Sequence, residues 1–534
     1  MTASTSTGPS GRRRAGLLIP LFSCPSTTSW GIGDIGDIEP TAAWLAAAGQ
    51  RVLQLLPINE MAPGQQSPYS AISAMAIDPI FIRVPDVPEF EALGGESGLS
   101  PEHRCQLDVV RRSPRVEHAA VRALKRTALR AAFERFFEAE WCRDSERARA
   151  LRTFLSEQAW WIEDYSLFRA IHAREGERAW TAWPSELQRR EPAAIDRARR
   201  ELSREVLFFQ YLQWIASTQW QQARRRAHGV ELFGDLPFMV DGDSADVWAR
   251  QHQFDLDASL GVPPDAFSAT GQDWGMPVYR WDFVSMEDYR WLRERARRGA
   301  DLFDGYRVDH LVGFYRTYGR PKHGGDPFFT PPDERSQQAL GERILEIFRG
   351  AGAEIVAEDL GTVPDFVRAS LARLGVPGFR VFRWERYWHS EGQPFRDPAD
   401  YPPVSVATSG THDTEPLGVW WDRASEDERH KVAALPTIQR IAGGPGNIDF
   451  ARAAYDTRVR EVLLEALFAS GSDLLLLPVQ DVFGWRDRIN EPATVGEHNW
   501  SFRLPWPSDR LGEIAEARER QQQLRAWAER YGRI

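Results

Sequence analysis

Three short segments of this chain combine carboxylates, an arginine and histidines in spacings that could do acid–base and nucleophilic chemistry at a sugar carbon. They are Gly305-Tyr306-Arg307-Val308-Asp309-His310, Ile355-Val356-Ala357-Glu358-Asp359-Leu360-Gly361 and Ser409-Gly410-Thr411-His412-Asp413. Side chains alternate along a strand, so Arg307 and Asp309 share a face, and the guanidinium can hold that aspartate ionised as a nucleophile requires. Asp309 and Glu358, on adjacent strands, could then supply the two carboxyl groups of retaining glycoside chemistry. That reaction needs them about 5–5.5 Å apart, one attacking the anomeric carbon and the other protonating the departing oxygen. Asp413 could bind sugar hydroxyls and stabilise positive charge in the transition state. Taken singly, each carboxylate reads equally well as a helix cap or an ion-pair partner. It is the three together, each at the polar end of an apolar run, that carry the chemistry.

Other chemistries fit less well. The pairs Asp309 with His310 and His412 with Asp413 could ligate a metal, but no His-x-His pair stands on the first strand and no Lys or third His cluster completes such a site. No metal and no organic cofactor are therefore expected. Asp241-Gly242-Asp243 lacks the spacing and terminal Glu of a calcium loop and reads as a loop or sugar contact. Gly31-Ile32-Gly33-Asp34-Ile35-Gly36 satisfies a dinucleotide-binding pattern by letter. A loop, Pro25 to Trp30, separates it from the preceding apolar run, and Asp34 and Asp37 bring negative charge to where phosphates would sit, so a structural turn is the better reading. Trp274, Trp420 and Trp421 could stack on sugar rings or simply pack around the site.

Eight apolar, β-branched runs bounded by Gly, Pro, Asp or Asn must position these groups: Gly16–Ser23, Val52–Asn59, Val230–Val240, Gly305–Phe314, Glu354–Gly361, Gly378–Glu385, Val404–Asp413 and Asp473–Asp481. Continuous apolar strands of this kind are buried on both faces, as in parallel sheets. Helix-like stretches such as Ile38–Ala48, Asp333–Arg349, Pro364–Leu374 and Arg452–Ala469 lie between them. The alternation predicts an α/β fold, a (β/α)₈ TIM barrel spanning 12–534, whose active site lies at the C-terminal ends of the strands. About 170 residues separate the second run from the third, far beyond an ordinary connection. Within them Glu117–Glu140 and Ser145–His172 have helical periodicity, so 78–229 is expected to form a mostly helical inserted subdomain. A second insertion, 241–304, contains Pro263–Gly271, which has too little periodicity for an element and suggests a mobile loop over the site.

Composition narrows the partners. The chain has 534 residues, 42% of them hydrophobic, enough for a large core, and a net charge of -10. Such a balance provides no basic field for a nucleic-acid backbone or an anionic membrane surface, and no apolar run approaches the roughly eighteen residues of a membrane helix. The three cysteines, Cys24, Cys105 and Cys142, are widely spaced and fit neither a disulfide framework nor a metal site. They read as free thiols in a reducing compartment. Arg12 to Arg14 before the apolar stretch Ala15–Phe22 imitate an export signal, but Pro20 interrupts the stretch and the fold needs it; cytoplasmic residence is expected. Residues 1–11, rich in Ser, Thr and Gly, read as a disordered lead. The 21 Trp suit a wet, partly apolar surface such as sugar rings present.

At these residues the chain resembles the amylomaltase (4-α-glucanotransferase, disproportionating enzyme) family of the α-amylase clan. The agreement runs from Gly16 to about Pro505. It includes Ser67-Pro68-Tyr69, Gly234-Asp235-Leu236-Pro237, Asp243-Ser244-Ala245, Val247-Trp248, Pro263-Pro264-Asp265, Thr270-Gly271-Gln272, Trp274-Gly275 and Asn499-Trp500, besides the three segments above. The resemblance implies Asp309 as nucleophile, Glu358 as acid/base and Asp413 as transition-state stabiliser. It implies that Arg307, His310 and His412 contact the glucose at the cleavage point, with Tyr69, Asp243, Trp274 and Asn490 as further binding residues. The implied partners are malto-oligosaccharides and α-1,4-glucans, and the implied assembly is a monomer or weak homodimer. Departures are Ser70 for a usual Gln, Ala266 before Phe267 in place of an aromatic pair, Thr414 for a common Asn, and Pro492-Ala493-Thr494 for Pro-Gly-Thr. None removes a carboxylate, and the first two fall where acceptor sugars would lie. A retaining α-glucan hydrolase with the same carboxylates, or a non-catalytic glucan-binding protein, remain the alternatives.

Overall fold

The computed structural model describes residues 13–264, 270–444, 448–492, 494 and 496–534. Residues 1–11, Ala266 and Phe267 of the Pro263–Gly271 loop, and Ala493 lie outside the described residues.

Each of the eight runs supplies one strand: β1 (Arg14–Leu18), β2 (Val52–Gln54), β3 (Glu231–Leu236), β4 (Gly305–Val308), β5 (Glu354–Ala357), β6 (Gly378–Val381), β7 (Ser405–Thr408) and β8 (Leu474–Pro478). They are parallel and close into a barrel in sequence order, with β8 pairing back to β1. The strands are three to six residues long, shorter than the apolar runs. The ends of the carboxylate-bearing runs leave the ladder at the barrel mouth; β4 stops at Val308 and β5 at Ala357, each one residue short of its carboxylate.

Inside the barrel, Val52, Phe233, Val356, Phe379, Val381, Val406, Leu474 and Leu476 pack into a cluster of their own. This is the filled interior expected when inward side chains of neighbouring strands stack in layers. Gly305 is required there, because a Cβ at that position would lie 2.6 Å from the Phe233 ring. At the opposite end from the mouth, Arg14 at the start of β1 pairs with Glu231 and, at 2.7 Å, with Glu354, tying the first residues of three strands together.

Between β2 and β3 the chain is helical, with His118–Ala139, Glu146–Arg174 and Ser203–Arg225 the longest helices. Ser145 caps the second, its side chain accepting from the Ala148 N–H. Phe133, Phe136, Phe168 and Tyr211 from these helices join one continuous core with Leu45, Leu463 and Leu467 of helices outside the barrel.

The second insertion, 241–304, holds short strands that its sequence pattern does not announce, while most of the Pro263–Gly271 loop lies outside the described residues. Ala258–Val262 and Gln272–Asp273 pair antiparallel on either side of the Pro263–Gly271 segment. They join Thr317–Pro321 and Phe328–Thr330 in a four-stranded sheet beside the barrel mouth. These strands are two to five residues long, and two of them come from beyond β4, so no local periodicity announces them. The glycine-rich segment at 31–36 is a turn. Asp34 caps the short turn Ile35–Asp37, and Arg83 lies 3.1 Å from both Asp34 and Asp37. Among the described residues no helix is long and apolar enough to cross a membrane. The three cysteines are unpaired, Cys24 buried and the other two exposed.

Candidate active site

The barrel mouth gathers the carboxylates because each lies just past a strand that the closed sheet holds in register. The Asp309 N–H donates to Leu236 O at 3.0 Å, and the Glu358 N–H to Val308 O at 3.0 Å, so both residues are pinned by one further rung beyond β4 and β5. Asp413 is placed by a turn: its N–H donates to Thr411 Oγ1 at 3.2 Å, and Thr414 Oγ1 accepts from the Thr411 N–H at 3.0 Å. Thr414, one of the departures from the resembling family, therefore closes the turn that presents Asp413.

Arg307 organises the nucleophile side. Its Nη2 lies 2.7 Å from Asp309 Oδ1, and its Nη1 donates to both oxygens of Asp235, at 2.9 and 2.8 Å. The β3–β4 register places Asp235 directly opposite Arg307. Burial would discharge the guanidinium, but Asp235 and Asp309 hold its pKa well above the ordinary value. Burial pushes the Asp235 carboxyl up, against the pull of Arg307. Asp309 keeps a 27% exposed side chain, the face a substrate would meet.

Glu358 is built differently. Burial pushes its carboxyl up, to about 7; Arg307 opposes that, Asp309 adds to it and the Leu360 N–H opposes it. Each of its oxygens accepts one backbone N–H at 2.9 Å, from His310 and from Leu360. His310 can aim its N–H there because its backbone takes a positive φ of 42°, an unusual value for a non-glycine residue. Desolvation pushes the half-buried His310 ring down to about 4, so it is neutral at pH 7. It packs between Phe238 and the edge of Trp274, whose ring centroid lies 4.8 Å away.

The third carboxylate has the opposite environment. Burial pushes Asp413 up, but His412, Asn490 and Arg307 outweigh it and bring its pKa down to about 2. Asn490 Nδ2 donates to Asp413 Oδ1 at 2.6 Å, and His412 Nε2 lies 3.2 Å from Oδ2. Tyr69 donates its hydroxyl to Asp235 Oδ2 at 2.8 Å, so the 3.1 Å contact between Tyr69 and His412 Nε2 requires the proton on Nε2. Tyr69 and His412 stack at 5.3 Å with 19° between their planes, and Trp500 packs against both. Two carboxyl groups at one mouth are thus pushed apart, Glu358 toward the protonated acid and Asp413 toward the permanent anion, which is how acid and charge-stabilising roles are separated at one pH.

The three carboxylates, with the Arg307, His310 and His412 side chains, open into a cleft of about 1500 Å³. Of the residues expected at the site, Arg307, Asp309, His310, Glu358, His412, Asp413, Tyr69, Trp274 and Asn490 line it. Asp243 is not brought there. Its Oδ1 accepts from the Trp180 N–H at 2.9 Å and its Oδ2 lies 3.5 Å from His172, so it ties the segment after β3 to the inserted helices. Trp420 and Trp421 are buried and pack the core, with Trp421 Nε1 donating to Ala453 O. Asp235 lies in the Gly234-Asp235-Leu236-Pro237 motif, but the sequence gives it no role; a carboxylate near the end of an apolar run is the only signal it carries. Arg488, which donates to the backbone oxygens of Asp413 and Asn490, carried no signal at all. Among the described residues no group of three or more His, Cys, Asp or Glu could hold a metal ion.

A family model described as 4-alpha-glucanotransferase matches residues 19–508. A 4-alpha-glucanotransferase from Chlamydia pneumoniae is 32% identical over 501 residues, covering 92% of this chain and 91% of the relative. One from Thermus thermophilus is 32% identical over 529 residues, covering 95% and 99%. Among solved structures, an amylomaltase from Streptococcus agalactiae in complex with acarbose is similar with a TM-score of 0.80 at 26% identity, over 98% of this chain and 100% of that one. An amylomaltase from Corynebacterium glutamicum, at 24% identity and a TM-score of 0.77 over 96% of this chain and 75% of that one, shares the fold.

Proposed function

Since this chain belongs to the 4-alpha-glucanotransferase family, we propose that Asp309, Glu358 and Asp413 carry out a retaining transfer of an α-1,4-glucan segment from a donor malto-oligosaccharide to the 4-hydroxyl of an acceptor glucan or glucose. Asp309 attacks the anomeric carbon of the donor glucose while Glu358 gives its proton to the glycosidic oxygen, whose bond to that carbon breaks. The product is a β-linked glucosyl ester of Asp309 and a shortened glucan that leaves with the proton. Glu358, now a carboxylate, takes the proton of the acceptor 4-hydroxyl as its oxygen attacks the same carbon. Asp309 is released and the α-configuration restored. Asp413, held anionic by His412 and Asn490, faces the positive charge that develops on the ring in both steps.

One observation carries this reading: Asp309 is ion-paired to Arg307 at 2.7 Å beside a Glu358 pushed up to about 7. A nucleophile paired to a cation and an acid whose carboxyl is pushed up are what the first step demands. Tyr69, His310, His412, Trp274 and Asn490, lining the same cleft, are read as contacts to the donor and acceptor sugars. Residues 78–229 are read as a helical subdomain of the catalytic barrel, supported by the long helices between β2 and β3.

The test is incubation with maltotriose, followed by chromatography and a parallel reducing-end assay. Transfer yields glucose and a ladder of longer oligosaccharides with total reducing ends unchanged. Reducing ends that rise in step with bond cleavage would mean that water takes the intermediate, and would overturn the transferase reading for this chain.

A further inference from the structure

Single apolar side chains are common on protein surfaces, but where large ones cluster they mark a binding surface. Among the described residues seven are exposed, and three of these fall within five positions after β6: Trp384 at 37%, Tyr387 at 42% and Trp388 at 53%. Trp384 and Trp388 line the same cleft as Asp309 and Glu358. A ligand long enough to extend from the carboxylates toward this side therefore meets two indole rings.

The segment is not a loose tip. Arg386 and Phe395 form an antiparallel bridge, and the Tyr387 N–H donates to Pro394 O at 2.9 Å, closing the loop on itself. Phe395 anchors it, buried against Phe382 and Trp420. Arg386 pairs with Glu428 and lies 3.9 Å over the Phe395 ring and 5.7 Å from the Trp388 ring, while Arg396 lies 5.2 Å over Tyr387. The aromatic faces are thus held by guanidinium groups and a buried anchor, while the Trp388 ring stays open to solvent. A glucose ring offers a patch of axial C–H groups with hydroxyls around its edge. It suits such a site, because the C–H face covers the indole and the hydroxyls stay hydrated or reach the neighbouring arginines.

We propose that Trp388, together with Trp384, forms a stacking subsite for a glucosyl unit remote from the scissile bond, and that this rim sets the preference for longer glucans. The proposal rests on the α-glucan reading of the cleft. It assigns Trp388 a part in specificity and none in bond making, so its signature is dependence on chain length.

The experiment is the ratio of kcat/KM for maltoheptaose to that for maltotriose, measured for the wild-type chain, Trp388→Ala and Trp388→Phe. A ratio does not depend on the fraction of folded enzyme, so partial misfolding of a variant does not obscure it. Loss of one stacked ring is expected to lower the ratio about five- to tenfold in Trp388→Ala. Trp388→Phe, which keeps an aromatic face, should recover most of it. An active wild type whose ratio is unchanged in Trp388→Ala would overturn the subsite while leaving the transferase reading intact. Equal losses on both sugars would overturn it as well, placing Trp388 at the reacting sugars. A wild type that transfers neither sugar would overturn the underlying reading and the subsite with it.

Discussion

Arg307 stands between two carboxylates: its Nη2 lies 2.7 Å from Asp309 Oδ1, while its Nη1 holds both oxygens of Asp235 at 2.9 and 2.8 Å. Asp235 is fully enclosed and Asp309 partly open to the cleft. The buried aspartate therefore fixes the guanidinium, and the guanidinium in turn fixes the direction of the open one. A lysine has a single ammonium group and cannot span both carboxylates. Arg307→Lys is expected to lower kcat about 100-fold, the cost of a displaced nucleophile. It should also lower the thermal midpoint, since Asp235 loses its paired donor. Activity within threefold of wild type would show that Arg307 does not position Asp309.

Asp309→Asn removes the attacking oxygen's charge and little else. Transfer should fall by at least about 10⁴-fold, in line with the loss of a covalent nucleophile. Binding of maltoheptaose, followed by calorimetry, should persist, because the residues lining the rest of the cleft are untouched. Substantial residual transfer would remove Asp309 from the nucleophile role.

Glu358, with its carboxyl pushed up to about 7, is protonated below that pH and ionised above it. The first step needs the protonated form, so kcat/KM for a glucan donor should hold steady below about 7 and fall as pH rises, approaching tenfold per unit. A profile flat from pH 6 to 9 would contradict the acid assignment.

Asn490 touches Asp413 through a 2.6 Å bond to a charged acceptor. Such bonds are worth about 1.5–3 kcal/mol, so Asn490→Ala should cost roughly 10- to 100-fold in kcat if the charge on Asp413 matters most in the transition state. KM should change less. A change confined to KM would assign Asn490 to ground-state sugar binding alone.

Gly33 in the dinucleotide-like pattern serves packing. A Cβ there would lie 1.9 Å from Leu21 O, a backbone atom that cannot swing aside. Gly33→Ala is expected to destabilise the fold by about 2–3 kcal/mol, read as a lower urea midpoint. An unchanged midpoint would show that the turn at 31–36 has room to shift.

Much of the barrel could be read locally. Runs such as Val52–Asn59 and Glu354–Gly361 are apolar along their length because both faces of their strands are buried, and that signal needs no knowledge of neighbours. The strands are shorter than these runs. The Glu354–Gly361 run leaves the sheet after Ala357, and nothing in the chain's own periodicity marks where a partner strand stops. The sheet built from Ala258–Val262, Gln272–Asp273, Thr317–Pro321 and Phe328–Thr330 escaped altogether, since its pairings join segments on either side of β4.

For the site, sequence alone determined which residue types stand at the ends of β4, β5 and β7, and alternation was enough to put Arg307 and Asp309 on one face. Only the tertiary structure decided what surrounds them. Asp235 meets Arg307 across 72 residues of chain because the β3–β4 register aligns them. His310 gives its N–H to Glu358 because its backbone turns through a positive φ at the mouth. Asp243, equally charged and carried by a family motif, was drawn instead to Trp180 on the inserted helices. The division has a physical cause: strand character and side-chain facing are set by neighbours in the chain, whereas burial, register and charge pairing exist only once the barrel has closed.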